Sequence, residues 1–264
     1  PFRSIVFIHG INGDPIKTWE YVRPSNDRKS NAAETVLWPR DLLPRAFPNA
    51  RVLSFGYNGN LYRNRNESTP NIRELAHALL SDLTGQRQDI KLHRPIIFIA
   101  HCLGGLVVRK ALHVATYNVR FHGVFEETIG ILFFGTPHIP SAIDAWDHYA
   151  KFYPSFDRPA GRLSIGRPKR SRLVKTLQRD SEELIDLMTG FSGNTVPRWA
   201  IVSFYEPVKI PGAKALIVSA TAAQLDIPDE IQRPIHADHA TMCRFWSERD
   251  PTFREVCAEI KNMT

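Results

Sequence analysis

Pro95-Ile-Ile-Phe-Ile-Ala-His-Cys-Leu-Gly-Gly-Leu-Val-Val-Arg-Lys-Ala-Leu112 joins three patterns in one stretch. Ile96 to Ala100 is an apolar, β-branched-rich run of strand length that reads as a strand buried on both faces. A small-x-nucleophile-x-Gly turn follows at Ala100, Cys102 and Gly104. Leu106, Val107, Lys110, Ala111 and Val114 then recur with helical period. A buried strand running through such a turn directly into a helix is the context of a nucleophile elbow. The turn is sharp, so its flanks must be small, and Ala100 and Gly104 meet that demand, while Gly105 lets the helix start lie close to the sheet. Cys102 is thereby placed at a helix N-terminus, where backbone amides and the helix dipole favour negative charge. The competing reading of Cys102 is a buried structural thiol, since free cysteine is among the most buried residue types. A Gly-Gly pair and a strand-to-helix switch have no reason to coincide with a core cysteine.

Outward from this stretch, Ser4 to Ile8, Arg51 to Phe55, Ile129 to Phe134, Trp199 to Tyr205 and Ala215 to Ser219 are further short apolar runs. Between them lie helical patterns: Ile72, Leu75, Ala76, Leu79, Leu80 and Leu83 fall on one face at spacings of three and four. Doubly buried strands alternating with helices predict an α/β fold with a mostly parallel central sheet covered on both sides. The alternation stops between 139 and 193, and a structureless connection of about fifty residues is unusual in a compact domain, so this segment is expected to be a lid-like insertion with its own helices. Ser181 to Met188 reads as a helix returning from it, with Ser181 as N-cap and acidic residues in the first turn.

The chain has 264 residues, 43% of them hydrophobic and 23% charged. That fits one sizeable domain, 1–264, and excludes a peptide, a disordered tail and a coiled coil. No apolar run approaches the roughly 20 residues of a membrane-spanning helix. No secretory signal precedes the first strand, so the expectation is a domain excised from a longer intracellular protein, cytoplasmic or organelle-associated. Three cysteines, Cys102, Cys243 and Cys257, make a disulfide framework improbable and favour a reducing compartment. Cys243 and Cys257 read as small apolar residues near the C-terminal helix. The net charge of +7 gathers in Arg158, Arg162, Arg167, Lys169, Arg170, Arg172, Lys175 and Arg179. This cluster reads first as a solvated face and second as a contact for a membrane surface or an anionic ligand. Nucleic acid is not an expected partner, because aromatic interleaving on a strand surface and a recognised helix module are both missing.

A nucleophile of this kind needs a base, and the base needs an orienting acid. Behind an elbow on a parallel sheet, both follow the nucleophile in the chain. Glu206 closes the run Ile201 to Tyr205, at the C-terminal end of a strand where open α/β sheets place their sites. His239, in Ala237-Asp238-His239-Ala240-Thr241-Met242-Cys243, satisfies the order, with His236 as competitor and Asp238 as a loop residue or cap. His77, His113 and His148 read as surface or half-buried helix positions, and His101 as the variable residue of the elbow. His236 and His239 lack a matching ligand pair, so no metal and no cofactor are expected. Ile8-His9-Gly10-Ile11-Asn12-Gly13 is a strand followed by a glycine-rich turn, from which the N–H of Ile11 is expected to join that of Leu103 in an oxyanion hole. It lacks the Lys-Ser/Thr ending of a phosphate loop.

Together these residues resemble the α/β-hydrolase fold, and within it a serine-esterase group. That group includes mitochondrial-associated enzymes of phosphatidylglycerol remodelling and the lipase-like N-terminal effector domains of fungal NACHT and other NLR-type receptors. The resemblance rests on Ile5-Val-Phe-Ile-His-Gly10, Lys17-Thr18-Trp19, Trp38-Pro-Arg-Asp-Leu-Leu-Pro44, Phe55-Gly56-Tyr57, the elbow, Phe134-Gly-Thr-Pro-His138, Ser203-Phe-Tyr-Glu206, and Ala237-Asp238-His239 with Met242-Cys243. It implies a triad of Cys102, Glu206 and His239. It also implies an acyl-ester or lipid substrate, hydrolysis or acyl transfer, and other domains of a larger receptor as neighbours. The chain departs from the group in carrying Cys102 where serine is usual, Ala100 where glycine or serine is usual, and Ile-Pro-Ser after His138 where Arg-Gly-Ser is usual. Cysteine at the elbow has three readings: a natural thiol nucleophile, an engineered serine replacement that traps an acyl intermediate, or the mark of an inactive effector domain.

Overall fold

Ile96–His101 is buried along its whole length and forms the strand from which the rest of the molecule is organised. A computed structural model of the chain describes residues 2–23, 34–63, 68–87, 94–139, 149, 169–176, 181–190 and 199–263. In chain order, β1 (Arg3–Ile8), β2 (Ala50–Phe55), β3 (Ile96–His101), β4 (Thr128–Phe134), β5 (Ala200–Tyr205) and β6 (Ile231–Pro234) make one six-stranded sheet, ordered β6-β5-β4-β3-β1-β2. Every pairing in it is parallel. The register sets Val6 beside Phe98 and Phe98 beside Ile131, so large apolar side chains lie in rows across the centre.

Side chains alternate across the pleat, and the two faces take different partners. Val6, Ile8 and Phe98 belong to one core with α1 (Ile72–Arg87) and α2 (Leu103–Tyr117). The predicted stripe of α1, Ile72 to Leu83, is its buried face. Ile5, Phe7, Ile97 and Ile99 belong to the opposite core with Trp19, Trp38 and α4 (Pro251–Asn262). α3 (Glu182–Gly190) packs on α2. Asp250 caps α4, accepting from Thr252 N at 2.9 Å, and Pro251 occupies the first turn, where a missing N–H costs nothing.

Two expectations are corrected. Ala215 to Ser219 is not a strand but a loop: Ile217 and Val218 are apolar because they are buried against the core, not because they pair in the sheet. The sixth strand is instead Ile231–Pro234, an edge strand whose exposed, polar sequence carries no strand signal. Most of the expected insertion at 139–193 lies outside the described residues, as do Arg158, Arg162, Arg167, Arg179 and His148. Its described parts are Tyr149, the pair Lys169–Arg170 antiparallel to Tyr62–Arg63, the helix Arg172–Thr176, and α3. Ser181 stands at the start of α3, where Leu184 N donates to its hydroxyl at 3.3 Å. No helix among the described residues is long and apolar enough to cross a membrane.

Candidate active site

At the C-terminal end of β3 the chain turns within one residue. Cys102 has φ 56° and ψ −128° and directly precedes α2. A side chain held at positive φ in a sparsely populated region costs roughly 1–3 kcal/mol and persists only where the surroundings fix it. Here the Cys102 N–H donates to Phe134 O at 2.8 Å, and Gly105 N donates back to Cys102 O at 3.1 Å. The first strand's loop presses against the turn: a Cβ on Gly10 would collide with Cβ of Cys102, and one on Gly104 with the carbonyls of Ile8 and His9. The small residues read as elbow requirements are therefore requirements of contact with β1 as well as of the turn itself.

β5 and the loop after β6 bring two further groups to this point. His239 Nδ1 donates to Glu206 Oε2 at 2.5 Å, with both side chains fully buried. The second carboxylate oxygen of Glu206 accepts from Val218 N at 2.9 Å, so the loop that replaces the expected strand at 215–219 fixes the acid's rotamer. Cys102 acts on the His239 ring through the charge of its sulfur. With Nδ1 committed to Glu206, Nε2 is the nitrogen left to face the thiol. Burial opposes a charge on this imidazole, but the negative charges of Glu206 and Cys102, with the hydrogen bond to Glu206, outweigh it and raise its pKa to about 10. Gly135, at φ +55°, makes room: a Cβ there would stand 3.0 Å from His239 Nδ1 and 3.1 Å from Glu206 Oε2.

The base loop rests on aromatic support. Phe7 meets Trp19 and Trp38 edge-on, each at 5.0 Å, and Trp38 Nε1 donates to Cys243 O at 2.9 Å. This gives the quoted tryptophan and Met-Cys motifs a physical role, because they anchor the chain that follows His239 in one core. Cys243 and Cys257 lie in that same core, where burial raises their thiols to about 12 and about 11.

The loop after β1 is held over the elbow. Asn12, at φ 54°, donates its N–H to Gly59 O at 2.9 Å and accepts from Leu61 N at 2.9 Å. The His9 ring stacks on Tyr57 at 4.1 Å, and the Tyr57 hydroxyl donates to His9 O at 2.6 Å. Ile11 is thus fixed beside the turn, and Leu103 occupies the first position of α2, where amides lack an intrahelical acceptor.

Other residues that the motif reading did not single out complete the site. Tyr149 places its ring edge-on to His239 at 5.5 Å and its hydroxyl 3.5 Å from Ile11 O, spanning the gap between the base and the first loop. It comes from the segment read as an insertion, where no sequence pattern marks one aromatic residue over another. His101 is buried and hydrogen-bonded to the base loop rather than a free variable of the elbow. His236 is exposed, and Asp238 caps its own turn, accepting from Ala240 N at 2.9 Å and Thr241 N at 3.1 Å. Among the described residues no group of three His, Cys, Asp or Glu side chains could hold a metal ion.

Comparison with known proteins agrees with this architecture. Protein SERAC1 of Danio rerio is 30% identical over 95% of this chain and 37% of its own length. Its counterpart in Bos taurus is 26% identical over 91% of this chain and 36% of its length. The chain therefore spans little more than a third of these relatives. Among solved structures, the mature Bacillus licheniformis lipase BlEst2 superposes with a TM-score of 0.54 at 16% identity, covering 92% of this chain and 86% of that one. The RedJ thioesterase of Streptomyces coelicolor gives 0.51 at 14% identity, covering 100% and 91%. The fold is that of the α/β-hydrolases. A family model matches residues 3–149, from the first strand through the elbow to Tyr149, and the chain belongs to the family described as "Putative serine esterase (DUF676)".

Proposed function

We propose that this chain is an acyl-ester hydrolase or acyltransferase in which Cys102 attacks, His239 carries the proton and Glu206 orients His239. The observation that carries the reading is the buried line Glu206–His239–Cys102 ending at a helix N-terminus. Cys102 Sγ would attack the acyl carbonyl as the thiolate, its proton already held by the His239 imidazolium. The developing oxyanion would be met by the N–H groups of Leu103 and Ile11. As the tetrahedral species collapses, the C–O bond to the leaving group breaks and His239 returns the proton to the departing oxygen. The acyl group is left as a thioester on Cys102, and water or another acceptor then releases it through the same base. The charge on Cys102 that raises His239 exists only when the sulfur is a thiolate, the competent nucleophile.

A domain of 1–264 within a longer protein is part of the same proposal, in keeping with the share of its relatives that the chain spans. A second reading, an inactive effector domain, is favoured by one observation: a cysteine stands at the elbow of a family described by a serine.

Intact-mass analysis after incubation with a panel of acyl esters distinguishes the two. The catalytic reading expects one acyl adduct per chain, mapped to Cys102, because Cys243 and Cys257 remain thiols far above neutral pH. Cys102→Ala should abolish the adduct, and His239→Ala should slow it by about 10³-fold or more. Turnover by Cys102→Ser alone would identify the cysteine as disabling, and inertness of both forms would favour the effector reading.

A further inference from the structure

We propose that His101 is a positioning residue that ties the proton carrier to the nucleophile turn. The elbow spacing leaves this position open, requiring only small residues on either side of the nucleophile, so the turn does not explain the side chain found there. In the structure His101 is the last residue of β3, paired with Phe134, and its backbone continues directly into Cys102. Its ring turns beneath the base loop. Nε2–H donates to the main-chain carbonyl of His239 at 2.7 Å, and the two imidazoles lie 4.9 Å apart at 44°. One residue therefore hangs the base loop from the strand that carries the nucleophile, while Glu206 holds the same imidazole from β5 by its Nδ1.

The bond is a neutral donor-to-carbonyl bond. Burial chiefly keeps His101 from charging, reinforced by His239, Arg244 and His9 facing it, against the opposing effect of its own bond to the His239 carbonyl. A neutral ring at this place holds the loop without adding a second positive charge beside His239. Without it, the carbonyl of His239 gives up this buried donor, and the loop is free to shift. The shift moves Nε2 relative to Cys102, and misplacement of about 1 Å in such an array costs up to about 100-fold in rate. The proposal rests on His239 being the proton carrier.

The test compares His101→Leu and His101→Gln in the intact chain, since the glutamine amide can place a donor near the position of Nε2. Three quantities are read: kcat and KM on whichever ester forms the Cys102 adduct, the titration of the His239 ring by NMR, and the 13C shift of the His239 carbonyl. His101→Leu is expected to lower kcat about 10- to 100-fold with KM within about twofold, and to bring the His239 pKa down. His101→Gln is expected to restore most of both. Unchanged kcat in His101→Leu would overturn the proposal. Equal losses in the two variants with an unaltered His239 titration would overturn it too, since that pattern belongs to simple packing. If His101→Leu does not fold, His101→Gln decides alone. A carbonyl shift retained with near-parental kcat supports the tie, and a carbonyl that loses its hydrogen bond without cost to kcat refutes it. Should the chain turn over no ester, the catalytic reading fails, while the titration and the carbonyl shift still report on the tie.

Discussion

At the scale of single residues the site is governed by where one proton resides. An unfolded histidine releases its proton near pH 6.5. Folded His239, after burial has been outweighed by Glu206 and Cys102, keeps its proton to about 10. The part of this shift owed to Glu206 makes the folded chain bind an extra proton between those values, whereas the part owed to Cys102 only moves the thiol's own proton to the ring. The stabilising contribution of the extra proton is complete below about pH 6.5 and is lost as the pH rises through about 10. Glu206→Gln removes the larger of the two attractive charges while keeping the side chain's shape. In that variant the His239 ring should release its proton at lower pH, and the fall in urea midpoint between about pH 7 and 10 should become shallower than in the parent. The same variant should lower kcat by about 10²- to 10⁴-fold, because the imidazole loses the group that fixes its tautomer. Equal slopes in parent and variant would show that Glu206 is not what holds the proton.

At the scale of elements, α2 carries the elbow at one end and the docking of α3 along its length. Arg109 of α2 is 1% exposed; its guanidinium donates to Leu187 O in α3 at 2.6 Å and to His138 Nδ1 at 3.1 Å. Lys110 reaches Asp186 of α3 at the surface side. Arg109→Met keeps the apolar stem and leaves two buried acceptors without donors, which should cost about 2–4 kcal/mol, read as a lowered midpoint in urea. Lys110→Met, whose partner is half exposed, should cost less than about 1 kcal/mol. Equal effects of the two would contradict this division. Elements of this kind differ in how far a sequence reveals them. β1, β3, β4 and β5 are legible because parallel strands covered on both faces are continuous apolar runs, and β2, the other edge, is legible by its Val52, Leu53 and Phe55. β6 is not, since an edge strand meets water and its Ile-Gln-Arg-Pro sequence resembles a loop. The run at 215–219 misleads for the opposite reason, being a loop made apolar by burial, and its Val218 N–H then serves Glu206. Chain order alone gathers Cys102, Glu206 and His239, whereas the contacts of His101 and Tyr149 depend on side-chain directions that no spacing encodes.

At the scale of the whole molecule, the sheet brings Cys102 from β3, Glu206 from β5 and the first loop from β1 to one end, where the described side chains are buried. Cys102 and His239 are both 0% exposed. Over them lies Tyr149, itself 4% exposed, with its ring on His239 and its hydroxyl by Ile11 O. An acyl carbonyl within bonding distance of Cys102 Sγ and the N–H groups of Ile11 and Leu103 must enter the space this side chain borders. Tyr149 thus borders the approach to Cys102, and if its side chain bars that approach, the rate at which a bulky electrophile finds the thiol measures how often it moves aside. Tyr149→Ala should accelerate modification of Cys102 by a bulky maleimide about tenfold or more, whereas Tyr149→Phe, which keeps the ring against His239, should change it less than about twofold. Loss of a buried aromatic side chain costs about 3–5 kcal/mol in a well-packed core, so both variants are to be compared well below their unfolding midpoints, with Cys243 modification as the internal measure of global opening. Acceleration at Cys102 without acceleration at Cys243 locates the barrier at Tyr149; parallel acceleration at both would mean that the ring only stabilises the fold.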